Sequence, residues 1–303
     1  MSSPVYVSPS PSASPAPSRP VSAARALLFV PGNRAERFDK AVGSGADAAI
    51  LDLEDAVGGA DKPAARAAVM GYLANLGANE ARTGRDVPVG VRVNNLYTAA
   101  GAADLAALVE GHASGARPDF VLLPKVESAF ETQLYARQLP GVAVLALIES
   151  ARGLEQAAAI AASHPSMAAL TVGGLDLCAD LGASFSWEPL LYGRSRVVQA
   201  AAAAGIAAMD MPFFDLKDDS ALEGECQRVK ALGYSGKLAI HPKHVATMQA
   251  VFSPTPDEVE FAHGVIAAAQ SARGNVFEYR GRMIDDPVIR AARRTLARVG
   301  SKA

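Results

Sequence analysis

The polar residues that could do chemistry in this chain recur in one kind of place, directly after short apolar runs. Asp52, Glu54 and Asp55 follow one run and Arg92 and Asn94 the next, with Lys125 and Glu127, Glu149, Asp176, Asp210 and His241 after later ones. Carboxylates dominate, with no His or Cys close by in sequence, so the set suits a hard cation with oxygen ligands, Mg2+ or Mn2+. Glu149 and Asp176, which follow successive runs, are the candidate ligand pair; a rim salt bridge is the competing use for either. Magnesium keeps several waters and leaves positions for a chelating substrate. Arg92 offers a planar fork able to grip a carboxylate at two points, which a lysine cannot do. Lys125 admits a rival chemistry, the Schiff base of a class I aldolase. Glu127 lies two residues on and would keep Lys125 charged if the two pair, which weighs against the rival. His241, before Pro242, could serve as a general base, but a buried, hydrogen-bonded strand-end histidine is the stronger reading. Cys178 and Cys226 read as small core hydrophobes.

The elements that would position these residues show in the hydrophobic patterning. Runs rich in Val, Ile and Leu span residues 26–31, 48–53, 88–93, 120–124, 142–148, 168–172, 206–211 and 237–240, with Ala-rich helical stretches between them. Unbroken apolar strands signal a sheet buried on both faces, and regular helical spacers imply parallel crossovers. Eight such runs make an α/β fold of the (β/α)8 TIM barrel type. A doubly wound sheet stops nearer about six strands and opens with a Gly-rich turn, and no GxGxxG or GxxxxGK[ST] opens a helix here. Barrel enzymes build their sites at the C-terminal strand ends, so the polar set is expected to converge at one mouth. The predicted organisation is a disordered Pro/Ser-rich tail over residues 1–22, the barrel over 23–255, and a C-terminal helical extension or lid over 256–303. The extension's first helix is expected to begin at Pro256, with Asp257 and Glu258 in its first turn.

Composition bounds the class. The chain has 303 residues, 50% hydrophobic and 20% charged, with a formal net charge of −2. That balance gives no pull toward nucleic acid or an anionic membrane, so an anionic substrate has to be held by a few placed arginines. Two cysteines without CxxC spacing argue against a disulfide framework or a zinc cluster and fit a reducing cytoplasm. No apolar run reaches the ~20 residues of a membrane span, and the tail has no apolar core of a signal peptide. A soluble cytoplasmic enzyme is expected.

Several stretches, in this order, resemble a known family. They are RALLFVPG (25–32), GADAAILDLEDAV (45–57), VRVN (91–94), LPKVE (123–127), LIE (147–149), GLDL (174–177), GKLAIHP (236–242) and MID (283–285). Singly they carry little; together on successive strands, they resemble the CitE-like lyases of the HpcH/HpaI aldolase/citrate lyase superfamily across nearly the whole chain after the tail. The resemblance implies Mg2+ held by Glu149 and Asp176, and a substrate carboxylate bound by Arg92. It places Glu54 and Asp55 around the metal's water shell, Glu54 with the catalytic residues and Asp55, together with Arg25, with those that bind substrate. Arg37 and Lys40 would face the phosphates of the thioester carrier, although either could be a solvated helix face. Asp285 looks like the catalytic carboxylate, carried on a lid that reaches a neighbouring subunit's site, which implies a homo-oligomer, a trimer or hexamer. Val172-Gly173 stands where such lyases often have Phe-Gly, a departure that touches no proposed ligand. The implied reaction is cleavage or formation of a malyl-, citramalyl- or citryl-thioester, giving a small 2-oxo acid and the thioester of CoA or an acyl carrier protein. The rival readings are a class II aldolase acting on free 2-oxo acids and a non-catalytic subunit that binds an acyl carrier protein.

Overall fold

Each of the eight apolar runs becomes a strand in the computed structural model, which describes residues 20–83, 87–272 and 276–300. The strands are β1 (Ala26–Pro31), β2 (Ala48–Asp52), β3 (Val89–Arg92), β4 (Phe120–Leu123), β5 (Ala143–Ile148), β6 (Met167–Val172), β7 (Ala207–Asp210) and β8 (Gly236–Ala239). Neighbours pair in parallel in sequence order and β8 returns to β1, which closes the expected (β/α)8 barrel. Alternate residues point to opposite faces. Leu27, Ile50, Leu122, Leu145, Leu147 and Met209 pack inside the barrel. Their neighbours Leu28, Leu51, Val91, Val121, Val144 and Leu170 pack against the surrounding helices. Burial of both faces is why these strands read as unbroken apolar runs rather than alternating ones.

The surrounding helices are α1 (Phe38–Val42), α2 (Lys62–Thr83), α3 (Ala99–Ala113), α4 (Ala129–Gln138), α5 (Ala151–Ala161), α6 (Gly174–Leu181), α7 (Trp187–Ala204), α8 (Asp219–Leu232) and α9 (Val245–Phe252). The Thr98 and Ser150 side chains accept from the backbone N–H groups of Gly101 and Gly153, fixing where α3 and α5 begin. Each such cap is worth about 1 kcal/mol and also sets where the preceding strand-end residue points. At the opposite end of the barrel, the short turn Val21–Ala23 plugs the floor, with Val21 in the interior core. Residues 1–19 of the expected tail lie outside the described residues. No helix among the described residues is long and apolar enough to cross a membrane.

One strand-end residue does not go where the sequence placed it. Asp210 ends β7, but Met209 takes the inward position and Asp210 therefore faces the helix layer. There it is fully buried beside Arg194 Nε at 3.0 Å and the ammonium of Lys237, which also reaches Glu225 at 2.6 Å. The Tyr234 hydroxyl donates to the Arg194 carbonyl at 3.1 Å. This buried ion cluster binds α7 and α8 to β7 and β8 and lies outside the mouth.

The C-terminal extension holds α10 (Pro256–Ser271), the hairpin strands β9 (Phe277–Tyr279) and β10 (Arg282–Ile284), and α11 (Asp286–Gly300). The predicted start at Pro256 is observed: Thr255 and Glu258 form a reciprocal capping box around it. Arg280 and Gly281, both at positive φ (51° and 73°), make the two-residue turn that the twist of a tight hairpin demands. The extension has its own small core of Ala262, Val265, Ile284 and Ala292. Arg294 and Arg298 of α11 border a cavity of about 820 Å3 with Pro20, Gly141 and Ser166, so this helix flanks the N-terminal face of the barrel.

Candidate active site

At the C-terminal end of the strands a cavity of about 410 Å3 opens, bordered by Asp52, Asp55, Arg92, Glu149 and Asp176. Three strand ends and one helix start deliver these groups. β2 ends in Asp52, whose carboxylate closes both points of the Arg92 fork, with Nε and Nη2 each donating at 2.7 Å. The fork expected to grip a substrate is therefore filled from within the chain. Arg92 Nη1 lies 3.0 Å from Glu54 Oε2, an ion pair without a directed hydrogen bond, and the guanidinium stacks 4.7 Å from the Phe29 ring centroid. Burial works against the Arg92 charge, but the Asp52 hydrogen bonds, and then the charges of Asp52, Glu54 and Asp55, outweigh it and hold the cation above its ordinary range.

Lys125, just beyond β4, has φ +52°. A side chain in this left-handed region costs roughly 1–2 kcal/mol. The turn it makes aims its backbone N–H at Glu149 Oε1, 2.7 Å away. Its ammonium donates to Glu54 Oε1 at 2.6 Å and lies 3.7 Å from Asp176 and 3.9 Å from Asp55. Burial opposes that charge, yet the hydrogen bond to Glu54 and the charges of Glu54, Glu149 and Asp55 raise the lysine well above its usual range. Such an ammonium is a poor Schiff-base nucleophile. Its partner is Glu54 and not Glu127, which accepts from Ser150 Oγ at 2.8 Å instead.

Glu149 directly follows β5 and is 4% exposed. Burial, then the neighbouring Glu54 charge and, more weakly, Asp176, push its carboxyl well above the ordinary range, with Lys125 opposing. A Cβ at Gly173 would stand 2.2 Å from Glu149 Oε2, so this glycine leaves the space the carboxylate fills. Asp176, half exposed, lies in the first turn of α6 beside it. Burial also raises the Glu54 carboxyl, against the pull of Arg92 and Lys125. Acidic groups held this close, with all-oxygen donors, fit a hard divalent cation. Among the described residues no three or more His, Cys, Asp or Glu side chains form a closed cage. Two carboxylates with open positions are what magnesium in a substrate-chelating site takes.

Nothing in the residue pattern signals the brace beneath this site. Lys62, at the start of α2, donates to the carbonyls of Leu53 and Glu54 and to Asn94 Oδ1, and Asn94 in turn donates to Asp104. The residues of the turn after β2 are thus pinned from behind by a lysine whose helix position looks solvent-facing in sequence.

Other expected site residues stand elsewhere. Arg25 precedes β1 and lies at the N-terminal end, its guanidinium taken up by Asp47 (2.7 and 3.1 Å) and Ser253 Oγ (2.7 Å). The expected substrate contact of Arg25 is overturned by that placement, which serves stability. Arg37 and Lys40 are exposed on the turn and helix after β1. His241 is exposed rather than buried; its Nδ1 accepts from the Lys243 backbone. Asp285, just after β10, caps α11 through the Val288 N–H and is absent from the mouth of its own barrel.

A family model described as "HpcH/HpaI aldolase/citrate lyase" matches residues 25–242. A protein of Cereibacter sphaeroides named (3S)-malyl-CoA thioesterase is 35% identical over 279 residues, covering 90% of this chain and 94% of that protein. The human mitochondrial citramalyl-CoA lyase is 31% identical over 300 residues, covering 90% of this chain and 84% of that protein. Among solved structures, CitE of Mycobacterium tuberculosis in complex with magnesium, acetoacetate and coenzyme A superposes with a TM-score of 0.73 at 35% identity, covering 92% of this chain and 100% of that one.

Proposed function

The chain belongs to the HpcH/HpaI aldolase/citrate lyase family, and from that premise we propose a magnesium-dependent carbon–carbon lyase acting on a β-hydroxyacyl thioester. The observation that carries the reading is the meeting of Glu149, Asp176 and Arg92 at one barrel mouth. Glu149 and Asp176 would hold the cation; that the CitE neighbour is a magnesium complex supports the choice of metal. Bound there, it would supply Lewis acidity toward the substrate's carboxylate and hydroxyl oxygens. Arg92 Nη1 binds the same carboxylate once Glu54 gives way. Glu54 and Asp55 orient waters around the pair, and Lys125 offsets their summed charge. A water oriented by Glu54 and Asp55 takes the hydroxyl proton, the hydroxyl-bearing carbon becomes the carbonyl of a 2-oxo acid as the C–C bond breaks, and the bonding electrons pass to the thioester as an enolate. Asp285 then delivers a proton to the enolate carbon, or removes it in the reverse direction. With α11 flanking the opposite face of its own barrel, Asp285 serves the site of a second copy, which makes a homo-oligomer, a trimer or hexamer, the working unit. Arg37 and Lys40, exposed on the turn and helix after β1, would meet the phosphates of CoA or an acyl carrier protein. Solvent-side chemistry of this kind suits the cytoplasm.

The test is to incubate the protein with Mg2+ and malyl-, citramalyl- and citryl-CoA and identify the products by mass spectrometry. A 2-oxo acid with an acyl-CoA supports the lyase, while free CoA with an intact hydroxy acid shows hydrolysis instead. Asp285→Ala and Glu149→Gln should each be inactive and should regain activity when mixed and reassembled. Full activity of Asp285→Ala alone, or in excess chelator, defeats the proposal.

A further inference from the structure

The mouth cavity has two unlike walls. Around the barrel from the charged ends of β2, β3 and β5, the ends of β7 and β8 contribute Met211, Leu238 and Ile240, with Phe214 at the rim. Among the described residues that line it, Arg92 is the only cation, and Asp52 already closes one edge of its guanidinium. The lysines nearest the apolar wall spend their ammonium groups elsewhere. Lys237 is buried on Asp210 and Glu225 outside the barrel, and Lys243 holds the Leu216 carbonyl and Asp219.

Resting on the lyase reading above, we infer that this asymmetry makes the site selective for a substrate whose hydroxyl-bearing carbon carries only hydrogen or a small alkyl group besides its single carboxylate. The 2-oxo acid is then a monocarboxylate of the glyoxylate or pyruvate class, and a citryl-type thioester, which yields a dicarboxylate, is rejected. The hydroxyl-bearing carbon has four substituents. Its carboxylate and hydroxyl belong with Arg92, Glu149 and Asp176, and its acyl arm leaves through the mouth toward the carrier. The fourth substituent is left facing Met211, Leu238 and Ile240. Hydrogen or methyl there is at home among hydrocarbon. A second carboxylate there would be desolvated against hydrocarbon, while Arg92 and Lys125 across the cavity are already paired with Asp52 and Glu54.

Ile240 is 41% exposed, so it can be changed without opening the core. Pyruvate and oxaloacetate are titrated calorimetrically into the full-length protein with saturating Mg2+, and into Ile240→Arg. In the unaltered protein pyruvate is expected to bind at least about 100-fold more tightly, the scale of an unpaired buried charge. Ile240→Arg should strengthen oxaloacetate and narrow the gap to within about tenfold, with an unchanged urea midpoint. Equal affinities in the unaltered protein, or no gain for oxaloacetate in folded Ile240→Arg, overturn the inference. Citryl-CoA cleaved as fast as citramalyl-CoA overturns it too, while leaving the lyase reading intact. A preserved affinity gap with no thioester cleaved defeats the lyase reading and leaves the selectivity standing. Binding of neither acid defeats both.

Discussion

A single methyl group at Gly173 tests whether Glu149 is a metal ligand. The Cβ of Gly173→Ala would lie 2.2 Å from Glu149 Oε2, 2.6 Å from its Cβ and 3.0 Å from its Cδ. To reach the 3.4 Å of ordinary contact, the carboxylate oxygen has to retreat by about 1.2 Å. The other oxygen is held by the Lys125 N–H at 2.7 Å, so the group cannot simply rotate away without losing that bond. Magnesium binds oxygen at about 2.0–2.1 Å and tolerates about 0.2 Å of error, so a shift of this size removes the ligand. Mg2+ affinity should fall about 10–100-fold, or roughly 1.4–2.8 kcal/mol. The backbone poses no obstacle, since φ −107° and ψ 89° admit alanine. Calorimetric titration of Mg2+ into both proteins, with thermal unfolding as the folding control, reads the effect. A folded Gly173→Ala protein with unaltered Mg2+ affinity refutes Glu149 as ligand.

Three further outcomes follow from the same geometry. Because Glu54 keeps Lys125 charged, borohydride treatment with pyruvate should add no mass to the protein; an adduct on Lys125 would revive the Schiff-base chemistry. Asp210→Ala strands the buried Lys237 and Arg194 charges and should cost about 3–5 kcal/mol in urea unfolding while Mg2+ affinity stays level; a loss under about 1 kcal/mol would show the cluster to be energetically idle. Glu149, raised above its ordinary 4.5 mainly by burial, has to shed its proton before it can hold a cation. Its stabilising contribution in the metal-free protein is complete below that ordinary value and is lost as pH climbs through the raised one. Mg2+ affinity should therefore rise across the same window, and titrations at several pH values that show tighter binding in acid would contradict the assignment.

The barrel was open to reading because unbroken apolar strands at regular intervals have few other uses. The end at which chemistry would sit was equally open, since the densest charged clusters, such as Asp52 to Asp55, follow the runs, although single charges such as Arg25, Asp47 and Asp119 precede them. What escaped the sequence is direction and cross-strand partnership. Asp210 follows its run as Glu149 does, but the two-residue period of β7 turns Met209 inward and Asp210 out. The binding of Lys125 to Glu54 spans 71 residues of chain and cannot be seen beside the near neighbour Glu127. Arg25 shared a motif with β1 yet sits before the strand, where a barrel keeps its stabilising contacts. The capture of the Arg92 fork by Asp52 depends on the register that sets Asp52 opposite Arg92 on paired strands. Lys62, at a helix start, gave no signal at all.

Arg92 meets any visitor already occupied, by Asp52 along one edge and by Glu54, without a directed hydrogen bond, at the remaining nitrogen. On the proposed reading, an incoming carboxylate would enter by exchange, one anion for another, and the tally of charges around the guanidinium would not change. Affinity won this way depends little on ionic strength, whereas a bare arginine loses its attraction as salt is added. In a medium crowded with small anions, the guanidinium would then stay in the keeping of its own protein until an acid of the right outline dislodged Glu54.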